Sequence, residues 1–69
     1  MISYKKLWVL LIEKDITKQQ LAKDAEFSLA TLTKLNKNEY VALSVIEKIC
    51  TSLKCDVGDI MEVVSENEE

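Results

Sequence analysis

Apolar residues recur every three or four positions along most of the chain, which is the spacing of an amphipathic helix. The first stripe consists of Tyr4, Leu7, Trp8, Leu11 and Ile12. Shorter stripes follow, and together they predict five short helices, at about residues 4–14, 18–25, 29–37, 45–54 and 57–61. The inward positions predicted for the third and fourth helices are Leu32, Leu35, Val45, Ile46, Ile49, Cys50 and Leu53.

Small polar residues stand where these helices begin, and their side chains can bond the amides that a first helical turn leaves unpaired. Thr17 with Gln20 and Ser44 with Glu47 have the spacing of a capping box, in which each side chain bonds the other residue's amide. The single caps predicted for the other helices are Ser3, Ser28 and Asp56. The third helix is predicted to end in Asn36-Lys37-Asn38, because Asn tolerates the left-handed conformation that often follows a helix.

The composition indicates one all-α domain and argues against several kinds of catalytic and metal-binding site. The 69 residues include one Gly and no Pro, whereas sandwiches and barrels need frequent special turns. The chain has no His to act as an imidazole base, and its two Cys cannot complete a zinc site of four thiolates. We therefore expect no enzyme activity, no catalytic residue, no metal site and no cofactor.

The hydrophobic runs are too short for a membrane or secretion signal. No apolar run reaches the roughly 18 residues of a membrane span. The basic pair Lys5-Lys6 precedes only six apolar residues, and no small-residue cleavage site follows them. We expect a cytoplasmic protein without a membrane partner, in which Cys50 and Cys55 remain reduced thiols.

The two ends of the chain differ in character. The segment 60–64 is apolar and partly β-branched, so it is predicted to pair as a short strand with the N-terminus or with a second copy of the chain. Residues 65–69 hold three Glu and are predicted to form an acidic, flexible tail. The predicted folded domain is therefore 1–64.

Three segments in this order resemble the Cro/C1-type (XRE) helix-turn-helix family of transcriptional regulators. They are Ile16-Thr17-Lys18-Gln19-Gln20-Leu21-Ala22, then Phe27-Ser28-Leu29-Ala30-Thr31-Leu32-Thr33-Lys34-Leu35, and then Leu43-Ser44-Val45-Ile46-Glu47-Lys48-Ile49-Cys50-Thr51-Ser52-Leu53. With its short C-terminal segment the chain resembles a compact, stand-alone subgroup of that family. The resemblance implies a lambda-repressor-like domain whose recognition helix, at about 29–37, enters the major groove of double-stranded DNA.

The sequence departs from the family pattern at the turn and in the recognition helix. Glu26 stands where the family usually has Gly, at a position that often needs a positive φ, so either Glu26 is strained or the turn differs. Lys18 replaces the usual Gln at the start of the second helix. Leu29 and Ala30 stand where polar residues commonly contact bases.

The resemblance implies two sets of DNA contacts. The residues implied to contact base edges are Leu29, Ala30, Thr33 and Lys34. The residues implied to contact the DNA backbone are Thr17, Lys18, Lys23, Ser28, Asn36, Lys37 and Asn38. The chain contains no Arg, so no guanidinium can bind guanine with two hydrogen bonds, and Leu29 and Ala30 fit thymine methyl groups. We therefore expect A·T base pairs at the contacted steps.

The acidic charge balance leaves a second function open. The net charge is −3, although Glu66, Glu68 and Glu69 account for the whole excess. DNA-binding domains are usually basic. The alternative is therefore a protein-interaction module on the same scaffold, such as an anti-repressor or an antitoxin-like partner, which binds no operator. A single copy would bind DNA weakly, which favours a homodimer through the N- and C-terminal segments on a two-fold symmetric site.

Overall fold

The computed structural model describes residues 1–65 and has four α-helices and one short antiparallel strand pair. The elements in chain order are β1 (Ile2–Ser3), α1 (Lys5–Glu13), α2 (Lys18–Asp24), α3 (Leu29–Asn36), α4 (Leu43–Leu53), a 3-10 turn (Val57–Asp59) and β2 (Glu62–Val63). The fifth predicted helix is this 3-10 turn. The predicted acidic tail lies outside the described residues except for Ser65.

The core lies between the apolar faces of the four helices, and Tyr4, Leu7 and Leu11 of the first stripe are buried in it. Trp8 is half-buried against the core. The inward placement of Ile12 is wrong, because its side chain is 76% exposed. Successive residues turn by about 100° around a helix, so Ile12, next after Leu11, points away from the buried face. Leu32, Leu35, Ile46, Ile49 and Leu53 are buried as predicted.

Each α-helix in the described part of the chain is followed by a non-glycine residue with positive φ. These residues are Asp15 (φ 56°), Glu26 (58°), Asn38 (57°) and Lys54 (56°). The amide after each one bonds a carbonyl five residues earlier, which is the longer bond of a Schellman motif: Ile16 to Leu11 (2.9 Å), Phe27 to Ala22 (3.0 Å), Glu39 to Lys34 (2.9 Å) and Cys55 to Cys50 (3.0 Å). The left-handed end at Asn38 is confirmed, and of the two alternatives for Glu26 the positive φ is the one observed.

The helix starts confirm some predicted caps. The Thr17 hydroxyl accepts a hydrogen bond from the Gln20 amide (3.0 Å), and the Ser28 hydroxyl accepts one from the Thr31 amide (3.1 Å). The reciprocal bond of the first capping box is not formed, since the Gln20 side chain donates to Asp24 Oδ1 at 2.8 Å instead. Asp56 caps the 3-10 turn and forms a full capping box with Asp59.

One other predicted cap is wrong, and another lies one residue before the N-cap position. α4 begins at Leu43 with Ala42 as its N-cap, so Ser44 lies inside the first turn and caps nothing. Val41 packs against the core just before Ala42 and so anchors the chain where α4 begins. Ser3 is paired with Glu62 in the sheet, and the N-cap of α1 is Tyr4. The Ser3 hydroxyl nevertheless accepts a hydrogen bond from the Lys5 amide at 3.3 Å, so it bonds the first amide of α1 from one residue before the N-cap.

The chain's two ends meet in the small sheet. Ile2 pairs with Val63 and Ser3 with Glu62 in antiparallel register. The Met1 carbonyl accepts from the Val64 amide at 2.8 Å, which extends the pairing by one residue. The predicted strand pairing with the N-terminus is thus confirmed within one copy of the chain. No helix among residues 1–65 is long and apolar enough to cross a membrane.

Candidate nucleic-acid interface

α2 and α3 are joined by the four residues 25–28 and form a helix-turn-helix. Ala22 and Ala25 are buried in the second half of α2 and at its C-cap, and their small side chains permit close packing. Phe27 packs partly against the core from within the turn. The positive φ of Glu26 lets the chain reverse directly after α2, so a residue other than Gly performs the turn at the cost of backbone strain.

α3 presents one exposed face and one buried face. Leu32 and Leu35 are buried, whereas Leu29, Ala30, Thr33 and Lys34 are all exposed. Counted from Leu29, the other three residues lie one, four and five positions later, so all four share one side of α3. The structure therefore brings the four predicted base-contacting residues together on a single solvent-facing surface, called the α3 face below. Leu29 is 67% exposed and is the largest apolar side chain of that face.

The hydroxyl of Thr33 already has a partner within α3. Its Oγ1 donates to the Leu29 carbonyl at 3.1 Å, a bond to the residue four positions earlier. The hydroxyl proton of Thr33 is thereby engaged in a hydrogen bond within the helix, whereas the lone pairs of its oxygen can still accept one. In this rotamer Thr33 can accept from the amino group of adenine or cytosine but cannot donate to a base.

Lys18 and Asn36, two predicted backbone contacts, lie together. The Lys18 ammonium nitrogen donates to Asn36 Oδ1 at 2.7 Å and lies 4.2 Å from the centroid of the Trp8 ring. Sequence patterns missed this contact, since Trp8 belongs to the apolar stripe of α1 and the spacing to Lys18 is not helical. The pair links the first residue of α2 to the last residue of α3.

Asn38 is used by the fold itself. Its Oδ1 accepts a hydrogen bond from the Tyr4 amide at 3.0 Å, and the Tyr4 hydroxyl donates to the Glu39 carbonyl at 2.9 Å. These bonds tie the start of α1 to the segment after α3. The side-chain oxygen of Asn38 is therefore engaged within the protein, and its contact with DNA stays a prediction.

The other predicted backbone contacts are exposed and lie around the same two helices. Thr17 and Ser28 are the N-caps of α2 and α3, and their hydroxyl oxygens accept hydrogen bonds from amides of their own helices. Lys23 lies in the last turn of α2, and Lys37 is the C-cap of α3. Residues 16–38 carry four Lys against Asp24 and Glu26, so this part of the surface is basic although the whole chain is acidic.

The family profile of the Cro/C1-type helix-turn-helix DNA-binding domain matches residues 6–66. The chain belongs to this family. The Cro/C1-type domain also resembles a crystal structure of the transcriptional regulator VanUg, with a TM-score of 0.91 and 48% sequence identity. That similarity covers 94% of this chain and 87% of the other. No curated protein matches the chain.

The match confirms the resemblance and the lambda-repressor-like arrangement predicted from the sequence. The Cro/C1-type domain keeps its helix-turn-helix despite Glu26 in the turn and Lys18 at the start of α2. The structure accommodates both departures from the family pattern. Glu26 adopts the left-handed conformation, and Lys18 contacts Asn36 and Trp8.

Proposed function

We propose that the protein is a sequence-specific, non-enzymatic transcriptional regulator that binds double-stranded DNA with α3 in the major groove. The observation that carries the proposal is the α3 face, which is exposed along one side of the second helix of a Cro/C1-type helix-turn-helix. A helix presented in this way matches the width of the major groove of B-DNA. The VanUg neighbour, itself a transcriptional regulator, supports the same class of function.

The chemistry of the α3 face favours A·T base pairs. Leu29 and Ala30 offer methyl and methylene groups to thymine C5-methyls, and Thr33 offers an acceptor to the adenine amino group. Lys34 is the one cation among the four residues and donates to guanine O6 and N7 or to thymine O4. Without Arg the face has no fork of two parallel donors, so it favours apolar contacts over bidentate ones.

Contacts with the DNA backbone set the register of the proposed complex. The ammonium groups of Lys18, Lys23 and Lys37 pair with phosphates, and Asn36 adds an amide donor. Backbone amides near Thr17 and Ser28 are further donors. With so few cations the affinity of one copy is low and falls with added salt, since each neutralised phosphate releases counterions.

Low affinity per copy favours a homodimer on a two-fold symmetric site. The terminal segments are the proposed contact between copies, because Met1 and Val63 of the small sheet are 60% and 80% exposed. In this proposal residues 1–64 are the DNA-binding unit, and the charges of residues 65–69 lie beyond it in the sequence. Since duplex DNA is the partner, we expect the protein to act in the cytoplasm.

A protein-interaction module is the second candidate function. The observation that favours it is the exposure of Leu29 on a chain that is acidic overall and lacks Arg. Such a module would bind a partner protein through the α3 face and would have no operator. The two candidates therefore predict opposite results with bare DNA.

Selection of bound sequences from a pool of random duplexes tests the proposal. The expected result is a two-fold symmetric motif with A·T pairs at the contacted steps and half-sites about one helical turn apart. Repeating the selection with Lys34→Gln should relax the motif at one position in each half-site. Uniformly G·C-rich half-sites would contradict the assigned base contacts, and no enrichment at low salt would favour the interaction module.

A further inference from the structure

Side chains from three helices meet at one exposed corner beside the helix-turn-helix. Trp8 comes from α1, Lys18 is the first residue of α2, and Asn36 is the last residue of α3. The Lys18 nitrogen lies 2.7 Å from Asn36 Oδ1 and 4.2 Å from the centroid of the Trp8 ring. We call this group the Trp8 cluster. Trp8 is half-buried, and its ring lies beneath the Lys18 ammonium. Lys18 itself is exposed to solvent.

The Trp8 cluster fixes a side chain that is otherwise mobile. A free lysine has four rotatable bonds, and holding its ammonium in one place costs rotamer entropy. The ring face attracts the cation and Asn36 accepts one of its N–H groups, so part of that cost is met before any ligand arrives. The ammonium has three N–H donors, and after the bond to Asn36 it can still donate to a further acceptor.

The location of the Trp8 cluster indicates what that acceptor is. It spans the start of α2 and the end of α3, the two elements of the helix-turn-helix, and its polar groups are a cation and a side-chain amide. The amide nitrogen of Asn36 is a second donor beside the ammonium. Two adjacent donors with a net positive charge suit an anionic oxygen such as that of a DNA phosphate.

We propose that Trp8 is a positioning residue for DNA binding: its ring holds the Lys18 ammonium beside Asn36, so that Lys18 contacts a backbone phosphate without first having to be ordered. The inference rests on the proposed function and deepens it by giving α1 a part in the interface. Trp8 does not touch DNA in this proposal and acts through Lys18.

A double-mutant cycle tests the role of Trp8. DNA affinity is measured at low salt for the wild-type chain, for Trp8→Leu and Trp8→Phe, for Lys18→Gln and Lys6→Gln, and for both Trp8 changes in the Lys18→Gln and Lys6→Gln backgrounds. Thermal unfolding of each variant checks that it folds. Lys6→Gln is the matched control, because it removes the same charge from a lysine that donates to the Gly58 carbonyl, away from the cluster. The probe is the duplex enriched from the random pool.

The expected result is coupling between positions 8 and 18. Trp8→Leu weakens DNA binding about two- to fivefold, the factor that a cation–π contact at an exposed site corresponds to, and Trp8→Phe weakens it less. In the K18Q background neither Trp8 change weakens binding further, whereas in the K6Q background both act in full. The slope of the logarithm of the binding constant against the logarithm of salt concentration also becomes shallower, by about one unit in K18Q and by less than that in Trp8→Leu.

Equal losses from the Trp8 changes in the wild-type and K18Q backgrounds would overturn the inference, because Trp8 would then act through packing alone. The absence of any loss would overturn it as well. If Trp8→Leu does not fold, Trp8→Phe and Trp8→Tyr, which keep an aromatic ring, decide by the same comparison. A wild-type chain that binds no duplex overturns the proposed function itself, while binding without coupling overturns only the role of Trp8.

Discussion

Asn38 Oδ1 accepts a hydrogen bond from the Tyr4 amide, 3.0 Å away and 34 residues earlier in the chain. Asn38 also has a φ of 57°, so one residue both ends α3 and satisfies the N-cap amide of α1. These two roles separate under substitution, because Gly keeps the left-handed backbone at no steric cost, whereas Ala strains that backbone and also lacks the acceptor.

Asn38→Ala is expected to destabilise the fold by about 2–3 kcal/mol, which combines the unpaired Tyr4 amide with the left-handed strain of Ala. Asn38→Gly should cost about 1 kcal/mol less than Asn38→Ala, and Asn38→Asp, which keeps the acceptor, should cost least. Urea unfolding of the three variants measures the order. Equal losses in the Ala and Gly variants would show that the backbone conformation at Asn38 contributes nothing.

Glu26 has a φ of 58°, so Glu26→Gly should stabilise the fold. We expect a gain of about 0.5–1 kcal/mol, because relief of left-handed strain exceeds the extra entropy that Gly has in the unfolded chain. Glu26→Gln is the control for the lost charge and should leave the unfolding free energy nearly unchanged. A gain of the same size in both variants would assign the effect to charge and would contradict the backbone argument.

The thiols predict a loss of stability at high pH. Burial, followed by the nearby Cys55, raises the pKa of Cys50 from 9.0 to about 11. Since the folded state disfavours the thiolate, the stabilisation is fully present below pH 9.0 and is lost as the pH rises through about 11. Unfolding free energies measured across this range should fall with pH, and Cys50→Ala should reduce the slope. An unchanged slope would show that another group, such as Tyr4, whose pKa burial also raises, dominates the titration.

Leu29 is expected to matter for DNA binding and not for folding. Its side chain is 67% exposed, so Leu29→Ala should change stability by less than about 0.5 kcal/mol. Loss of its contact with a thymine methyl should weaken DNA binding by about 1 kcal/mol, or roughly fivefold. Leu43→Ala removes an equally apolar side chain that is 79% exposed on α4 and serves as the control. If both variants bind the selected duplex like the wild type, Leu29 is not a base contact.

Helical spacing predicted most of the fold, and the errors have local causes. The stripe in α1 placed Tyr4 and Leu7 in the core but also included Ile12, because spacing alone does not give the width of the buried face. The Ser44–Glu47 pattern is a valid capping box that the structure does not use, since α4 already begins at Leu43. Local patterns of this kind carry no information about where neighbouring segments pack.

The exposed positions of the α3 face could be predicted from the sequence, but the contacts among the other candidate residues could not. The four residues of the α3 face follow from the family pattern, and the structure places them on one exposed side. The contact of Lys18 with Asn36 and Trp8 joins three helices, and no sequence spacing signals it. The inward bond of Asn38 to Tyr4 likewise depends on the tertiary fold.

The central claim is that this chain binds duplex DNA through its helix-turn-helix, and a salt titration of that binding tests it most directly. The whole chain is titrated onto a labelled duplex carrying the enriched motif, at a series of salt concentrations. We expect saturable binding by two copies per duplex, with the logarithm of the binding constant falling linearly with the logarithm of salt concentration. No binding at the lowest salt, to the enriched motif or to any other duplex, would contradict the account.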